Sequence, residues 1–329
     1  MWWWWEYFER WRIDIAYRLL RCVYSHKNFE HQWYPQILIM QIDENPKWLV
    51  NCQKLIAVAE WIKDGAASNI VAVLCEIGES CLNAHHLVVS YENLSELNET
   101  ASAVIQCSGL GILKPNTIIV DFPKCVSSSN FLYAGQGELW NRIAATVDKC
   151  LLICKGDLWK PVPFNLASTL DLWWVVEGDD LLLSFIYVIS RNYRWTFTKL
   201  RIFAVIKETE VEDVKDQVSK RIHQASLEAD SIEIRSVPTD DIAAYGSAKL
   251  STHQNMQENE GSKGRRIYKN EPPLGLNSLI RSESTNADLI MLNLPRPRGD
   301  MPASRLLQTL DVVTEQLTRV VIFRPPIDF

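Results

Sequence analysis

The one stretch with the residue types of a phosphate binder runs Cys107-Ser108-Gly109-Leu110-Gly111-Ile112-Leu113-Lys114-Pro115-Asn116-Thr117. Gly109 and Gly111 permit close backbone approach, and Lys114 is long enough to meet a phosphate. A phosphate cradle, however, follows a strand and opens a helix. This turn runs the other way, from a helix end into a strand, so a glycine C-cap and tight turn is the favoured reading of these residues. Other reactive types are scattered. The chain has no GxSxG elbow, no GxxxxGK[ST] loop and no HExxH. His85 and His86 are neighbours at a strand start and point to opposite faces, so they make no ligand pair. Cys150 and Cys154 fall along one strand, where packing is the default. Asp179 and Asp180 follow Gly178 at a helix start, where carboxylates favour the positive end of the dipole. The residues give no catalytic constellation and no metal signature, and the reading is of a non-enzyme.

Bulk properties narrow the class further. A length of 329 residues favours two domains over one. A net charge of -6 and a pI near 5.6 offer no basic stripe, which argues against a nucleic-acid partner. Eight cysteines lie in a chain with no recognisable secretory leader, so reduced and mostly buried thiols are expected. Asn93-Leu-Ser95 and Asn98-Glu-Thr100 fit the glycosylation pattern but carry no weight in a cytosolic chain. No stretch reaches the roughly 18–20 apolar residues that cross a bilayer.

The beginning is unusual. Trp2 to Trp5 are four consecutive tryptophans, followed by Glu6-Tyr7-Phe8. Such rings concentrate at membrane–water interfaces. Phe8, Trp11, Ile15, Leu19 and Cys22 then recur at helical spacing, with arginines between them. Residues 1–32 read either as a juxtamembrane segment with a basic amphipathic helix or as a helix docked on its own domain.

From Trp33 onward, short apolar runs alternate with helical patterns. Strands are expected at Ile37–Ile42, Asn69–Cys75, His86–Ser90, Thr117–Asp121 and Cys150–Cys154. Helices are expected at Lys47–Asp64, Leu94–Gln106 and Glu138–Asp148. A linker, Gly156–Ala167, carries Pro161 and Pro163. The pattern then restarts. Strands are expected at Leu170–Val176, Leu200–Ile206, Ser231–Val237, Asp288–Leu294 and Val320–Phe323. Helices are expected at Asp180–Asn192, Glu208–Ala229, Gly275–Arg281 and Ala303–Thr318. Alternation of this kind implies βαβ units and a parallel sheet covered on both faces. The expected fold is α/β, with two doubly wound parallel-sheet lobes over 33–156 and 157–329. The gap Ala243–Pro273 is polar and poor in apolar residues, and reads as a disordered loop. Its Ser247, Ser251, Thr252 and Ser262 are candidate phosphorylation sites.

Several blocks together resemble the cytosolic C-terminal domain of the cation-chloride cotransporters, the solute carrier 12 type. Trp33-Tyr34-Pro35-Gln36-Ile37-Leu38 is similar to that family's Trp-Arg-Pro-Gln start. Ser108-Gly109-Leu110-Gly111 with Lys114, Asn116 and Thr117 is similar to its Gly-Leu-Gly-Gly-Met-Lys-x-Asn-Thr block, with Ile112 in place of the second glycine of its Gly-Gly pair. Asp171-Leu172-Trp173-Trp174-Val175-Val176 and, thirty residues on, Arg201-Ile202-Phe203 are similar to its Asp-Val-Trp-Trp-Ile-Val and Arg-Ile-Phe. Asn277–Ile280, Leu289–Pro295 and Leu310–Glu315 resemble its final lobe. The blocks occur in family order along nearly the whole chain.

The resemblance implies two universal-stress-protein-like lobes and a homodimer. It implies regulation of a transmembrane part that carries chloride with potassium or sodium, at the cytosolic face of a membrane. It also implies a regulatory kinase as partner, for which the 243–273 loop is the candidate target. In some family members the first lobe binds an adenine nucleotide. By position, ATP or a similar nucleotide would meet Gln41, Asp43, Ser108, Gly109, Gly111, Lys114 and Asn116, at the carboxyl end of the first strand. A free-standing nucleotide-binding protein of the stress-protein type is the alternative.

Overall fold

The computed structural model describes residues 36–42, 48–62, 69–76, 87–91, 94–108, 114–122, 149–158, 168–175, 180–195, 197–207, 211–225, 227–237, 273–294 and 303–326. The expected N-terminal helix, the helix at Glu138–Asp148, the 157–167 linker beyond Leu158 and the loop 243–273 lie outside or largely outside these residues. So do Asp43, Gly109 and Gly111.

Ten strands form one sheet. They are β1 (Ile37–Ile42), β2 (Asn69–Glu76), β3 (Leu87–Tyr91), β4 (Thr117–Asp121), β5 (Cys150–Gly156), β6 (Thr169–Val175), β7 (Lys199–Lys207), β8 (Ser231–Val237), β9 (Leu289–Asn293) and β10 (Arg319–Arg324). Six helices are described: α1 (Trp48–Ile62), α2 (Leu94–Cys107), α3 (Asp180–Arg191), α4 (Val211–Gln224), α5 (Leu274–Ser284) and α6 (Ala303–Val313). The strand order is β3-β2-β1-β4-β5-β10-β9-β6-β7-β8. Read outward from the middle, β5-β4-β1-β2-β3 and β10-β9-β6-β7-β8 are the same doubly wound topology. Every pairing within a half is parallel, and the halves join through the antiparallel pair β5–β10. The repeat anticipated from the alternating pattern is therefore real at the level of topology.

The strands are apolar on both faces, and the period of two sorts their side chains between two cores. Leu38, Met40, Ile118, Val120, Trp173, Val175, Ile290 and Leu292 face α2, α5 and α6. Ile37, Ile39, Ile119, Leu170, Leu172, Trp174, Leu289 and Met291 face α1, α3 and α4. Burying a side chain of this size contributes about 1.5–3 kcal/mol, enough to fix the register at every strand.

Two helices end earlier than their apolar periodicity predicts. α6 stops at Val313, because Gln316 takes φ 60° and Leu317 N–H turns back to the Thr314 carbonyl. α4 stops at Gln224, where Leu227 N–H reaches the Ile222 carbonyl and the chain drops into Asp230, ahead of β8. In each case a turn that feeds a buried strand overrides helical spacing.

Candidate functional site

Asn116 stands immediately before β4. Its side-chain oxygen accepts from Gln36 N–H at 2.9 Å, and its own N–H donates to the Gln36 carbonyl at 3.0 Å. Both groups lie at the amino end of β1. The same two-point clip recurs twice. Asp288, before β9, accepts from Thr169 N–H at 3.2 Å and donates back at 2.9 Å. Asp230, before β8, accepts from Leu200 N–H at 2.8 Å and donates back at 2.8 Å. A short Asx side chain can satisfy a strand-end N–H that has no ladder partner, and the sheet uses this device at the entries to β4, β8 and β9.

Ser108 belongs to the same rim. It is buried at the end of α2, where its hydroxyl donates to the Val104 carbonyl at 2.5 Å and its N–H reaches that carbonyl at 3.0 Å. Lys114 is exposed between Ser108 and Asn116. A helix C-terminus carries the negative end of the dipole, which opposes phosphate.

Gln41 occupies the other rim. It sits near the carboxyl end of β1, five residues beyond Gln36, or roughly 16 Å along the strand at about 3.3 Å per residue. The structure therefore brings Ser108, Lys114 and Asn116 to one edge of the sheet and places Gln41 at the opposite edge. These residues do not line one nucleotide cradle. The cause is topological: a turn that enters a parallel strand cannot sit beside the end of the adjacent strand.

At the carboxyl rim of the first lobe the strand order reverses between the paired strands β1 and β4, with β2 beyond one and β5 beyond the other, the place where open α/β sheets form a crevice. Sequence reading missed the charged pair there. Lys54 of α1 meets Asp121 at the end of β4, Nζ to Oδ1 2.5 Å, with side chains 13% and 14% exposed. Cys154 lies beside them in register with Asp121. Burial pushes its thiol far above the ordinary range, opposed only by the nearby Lys54 charge. The equivalent position in the second lobe is Asn293, and there the crevice is shut. Its amide accepts from Val175 N–H at 2.8 Å and donates to the Val175 carbonyl at 2.6 Å, adding one more rung between β6 and β9.

The densest polar arrangement lies on β6 and β7. Asp171 pairs in register with Arg201, and Trp173 with Phe203. Asp171 is fully buried and accepts two bonds from Arg201, at 2.8 and 2.5 Å. Ser284 at the end of α5 donates to Asp171 at 2.5 Å and accepts from the Trp173 indole at 2.9 Å. Trp173 stacks on Phe203, with ring centroids 4.4 Å apart, and the Arg201 guanidinium lies over Phe203 at 5.3 Å. Arg201 also reaches the Glu283 carbonyl, while Arg235 of β8 pairs with Glu233 and Glu283. A carboxylate fully occupied in this way is a structural joint, not a base awaiting substrate.

The remaining motif residues serve similar ends. Asn277 of α5 donates to the Val313 and Glu315 carbonyls, at 2.7 and 3.1 Å, and so caps α6. Asp311 and Thr314 at the end of α6 hold Lys155 of β5, at 2.9 and 2.7 Å, across the junction of the lobes. Lys155 also lies 4.6 Å from the Phe122 ring. Its counterpart on β10 is Arg324, only 2% exposed, whose guanidinium burial pushes down to about 10. Among the described residues no cluster of His, Cys, Asp and Glu is fit to hold a metal, and no helix is long and apolar enough to cross a membrane. A cavity of about 540 Å³ lies between the end of α5 and the entries to β9 and β10, lined in part by Arg281, Ser282, Thr285 and Gln316.

Comparison with known proteins agrees with the block order. Residues 165–325, which span β6 to β10, match the family model of solute carrier family 12. Cation-chloride cotransporter 1 of Arabidopsis thaliana is 25% identical across 98% of this chain, and that of Oryza sativa subsp. japonica 24% identical across 98%. Potassium/chloride cotransporter 3 of Caenorhabditis elegans is 23% identical across 70%. The chain spans 38% of the length of each of the two plant proteins and 29% of the nematode one. In structure it is similar to a universal stress protein from Archaeoglobus fulgidus, with 9% identity, 89% of this chain and 97% of that one covered, and a TM-score of 0.47. The chain resembles the cation-chloride cotransporters of solute carrier family 12 along nearly its whole length, and the likeness is that of a fragment.

Proposed function

We propose that this chain is the cytosolic regulatory and dimerisation part of a cation-chloride cotransporter, acting on a membrane part that moves chloride with potassium or sodium. It is not an enzyme. The observation that supports this best is the use to which the family-like residues are put. Asn116, Asp171, Arg201, Asn277, Asn293 and Asp311 are all spent on joining strands, helices and lobes. Residues retained for assembly suit a scaffold that transmits position. A reaction centre would leave reactive groups open toward a cleft.

Sedimentation equilibrium of the purified chain tests the dimer. A mass near twice 37.8 kDa is expected, and a monomer at every concentration would remove dimerisation from the proposal. The partners of this reading are the transmembrane part, a second copy and a regulatory kinase acting within 243–273.

An adenine nucleotide, if held, would sit at the carboxyl rim of the first lobe beside Gln41 and Lys54. At the position that Asn293 holds in the second lobe, bonded to Val175, the first lobe carries Asp121 paired with Lys54. Calorimetric titration of ATP should show saturable heat that is lost in Lys54→Ala and kept in Lys114→Ala. Loss in Lys114→Ala alone would return the site to the amino rim, and no heat with the parent chain would end the nucleotide reading.

A further inference from the structure

Between α3 and β7 the chain reads Arg191-Asn-Tyr-Arg-Trp-Thr-Phe-Thr-Lys199, with three cations and no carboxylate, in a chain of net charge -6. Trp195 pins this turn to the body. It is 1% exposed and packs edge-on against Trp61 of α1, with centroids 5.1 Å apart. Trp195 N–H donates to the Asn192 carbonyl, and the Thr198 hydroxyl and N–H both donate to the Trp195 carbonyl. Asn192 is tied in turn to the Glu60 carbonyl of α1. With the anchor fixed, Tyr193 and Phe197 stand out on either side of it, 68% and 70% exposed. They are two of the four large apolar side chains most exposed among the described residues. Arg191 and Lys199 are exposed beside them. Arg191 donates to the Tyr187 hydroxyl with its guanidinium 5.2 Å from that ring, and Arg194 lies 5.6 Å from the Tyr193 ring. Among the described residues the acid paired with this group is Glu60, 3.7 Å from Arg194.

We propose that Arg191, Tyr193, Arg194, Phe197 and Lys199 form a docking surface for an anionic lipid bilayer. Aromatic rings with adjacent arginines are the side chains that settle at the headgroup level, rings among the upper acyl chains and cations among the phosphates. The local positive charge complements an anionic leaflet, although the chain as a whole is acidic. Holding the turn rigid before contact lowers the ordering cost of binding. This goes beyond the proposed function, on which it does not rest, because it assigns a face that meets the membrane.

The test uses the full chain with vesicles of phosphatidylcholine alone or mixed with phosphatidylserine. The readouts are sedimentation and hydrogen–deuterium exchange of residues 191–199, which separates this site from any contribution of residues 1–32. Slowed exchange at 191–199 is expected with the anionic vesicles only, and should weaken as salt is raised. Arg191→Ala and Lys199→Ala should each lower partitioning about fivefold, the factor that roughly 1 kcal/mol per cation near an anionic leaflet corresponds to. Tyr193→Ser with Phe197→Ser should abolish the local protection. Unchanged exchange at 191–199 would overturn the proposal, as would equal protection by neutral vesicles. Protection that follows protein concentration without lipid would assign this face to a second copy and overturn it too.

Discussion

At the scale of single residues, the chemistry is dominated by groups whose reactivity the fold has removed. Asp171 is wholly buried and held by Arg201 and Ser284. Taking one partner from a buried pair strands a charge, which costs about 3–5 kcal/mol. Arg201→Ala should therefore lower the unfolding free energy by about 3 kcal/mol in urea titration. Asp171→Asn with Arg201→Met should recover part of that loss, because it removes both charges. Cys154 gives a second check. Its thiol stays protonated in the fold well above the usual range, while the unfolded chain ionises near pH 8.5. The raised value means that its contribution to stability is complete below about pH 8.5 and falls as pH rises further. At mildly alkaline pH, iodoacetamide should modify the exposed Cys107 and leave Cys154 untouched until the chain unfolds. Mass spectrometry of the labelled peptides reads the outcome.

At the scale of elements, strand entries and lobe joints carry the specificity. The Asn116, Asp288 and Asp230 clips are the same device at three entries. Asn116→Ala should cost about 1–2 kcal/mol, the price of a strand-end N–H left unmet, while leaving ATP titration unchanged. Gly156 ends β5 with φ +90°, and a Cβ there would overlap the Thr318 carbonyl oxygen. Gly156→Ala should destabilise by about 2–4 kcal/mol and disturb the β5–β10 junction first. Thermal unfolding followed by circular dichroism checks both variants.

The elements themselves were legible. Ile37–Ile42 and Thr117–Asp121 are strands at the predicted bounds because apolar β-branched runs bury on both sides of a parallel sheet, while Ser231–Val237, also at the predicted bounds, is an edge strand with alternating polar residues. The ends of α4 and α6 were not, because turn closure by Leu227 and Leu317 depends on the strand that follows. Of the candidate site, Asn116 was placed by resemblance near the carboxyl end of β1, whereas it lies beside Gln36 at the amino end. Spacing along the chain does not say which rim of a sheet a turn occupies. Lys54 with Asp121, 67 residues apart, leaves no local signal at all. The pairing of Asp171 with Arg201 was half visible: both blocks stood out in the sequence, and only the register of β6 on β7 shows why they belong together.

At the scale of the whole molecule, two lobes of one topology share a continuous sheet through β5 and β10. Lys155, Asp311 and Thr314 cross the same junction, and Trp61 of α1 packs against Trp195 in the turn after α3 of the second lobe. These joints make the two lobes one continuous sheet, in keeping with the proposed scaffold role. The proposal is that this body controls ion transport. It is tested most directly by replacing the matching segment of the Arabidopsis thaliana relative with this chain and measuring chloride-dependent rubidium uptake. Uptake above that of the relative lacking the segment, and lost again with Arg201→Ala in correctly delivered protein, is the expected result. Uptake no greater than without the segment, from protein that reaches the membrane intact, would contradict it.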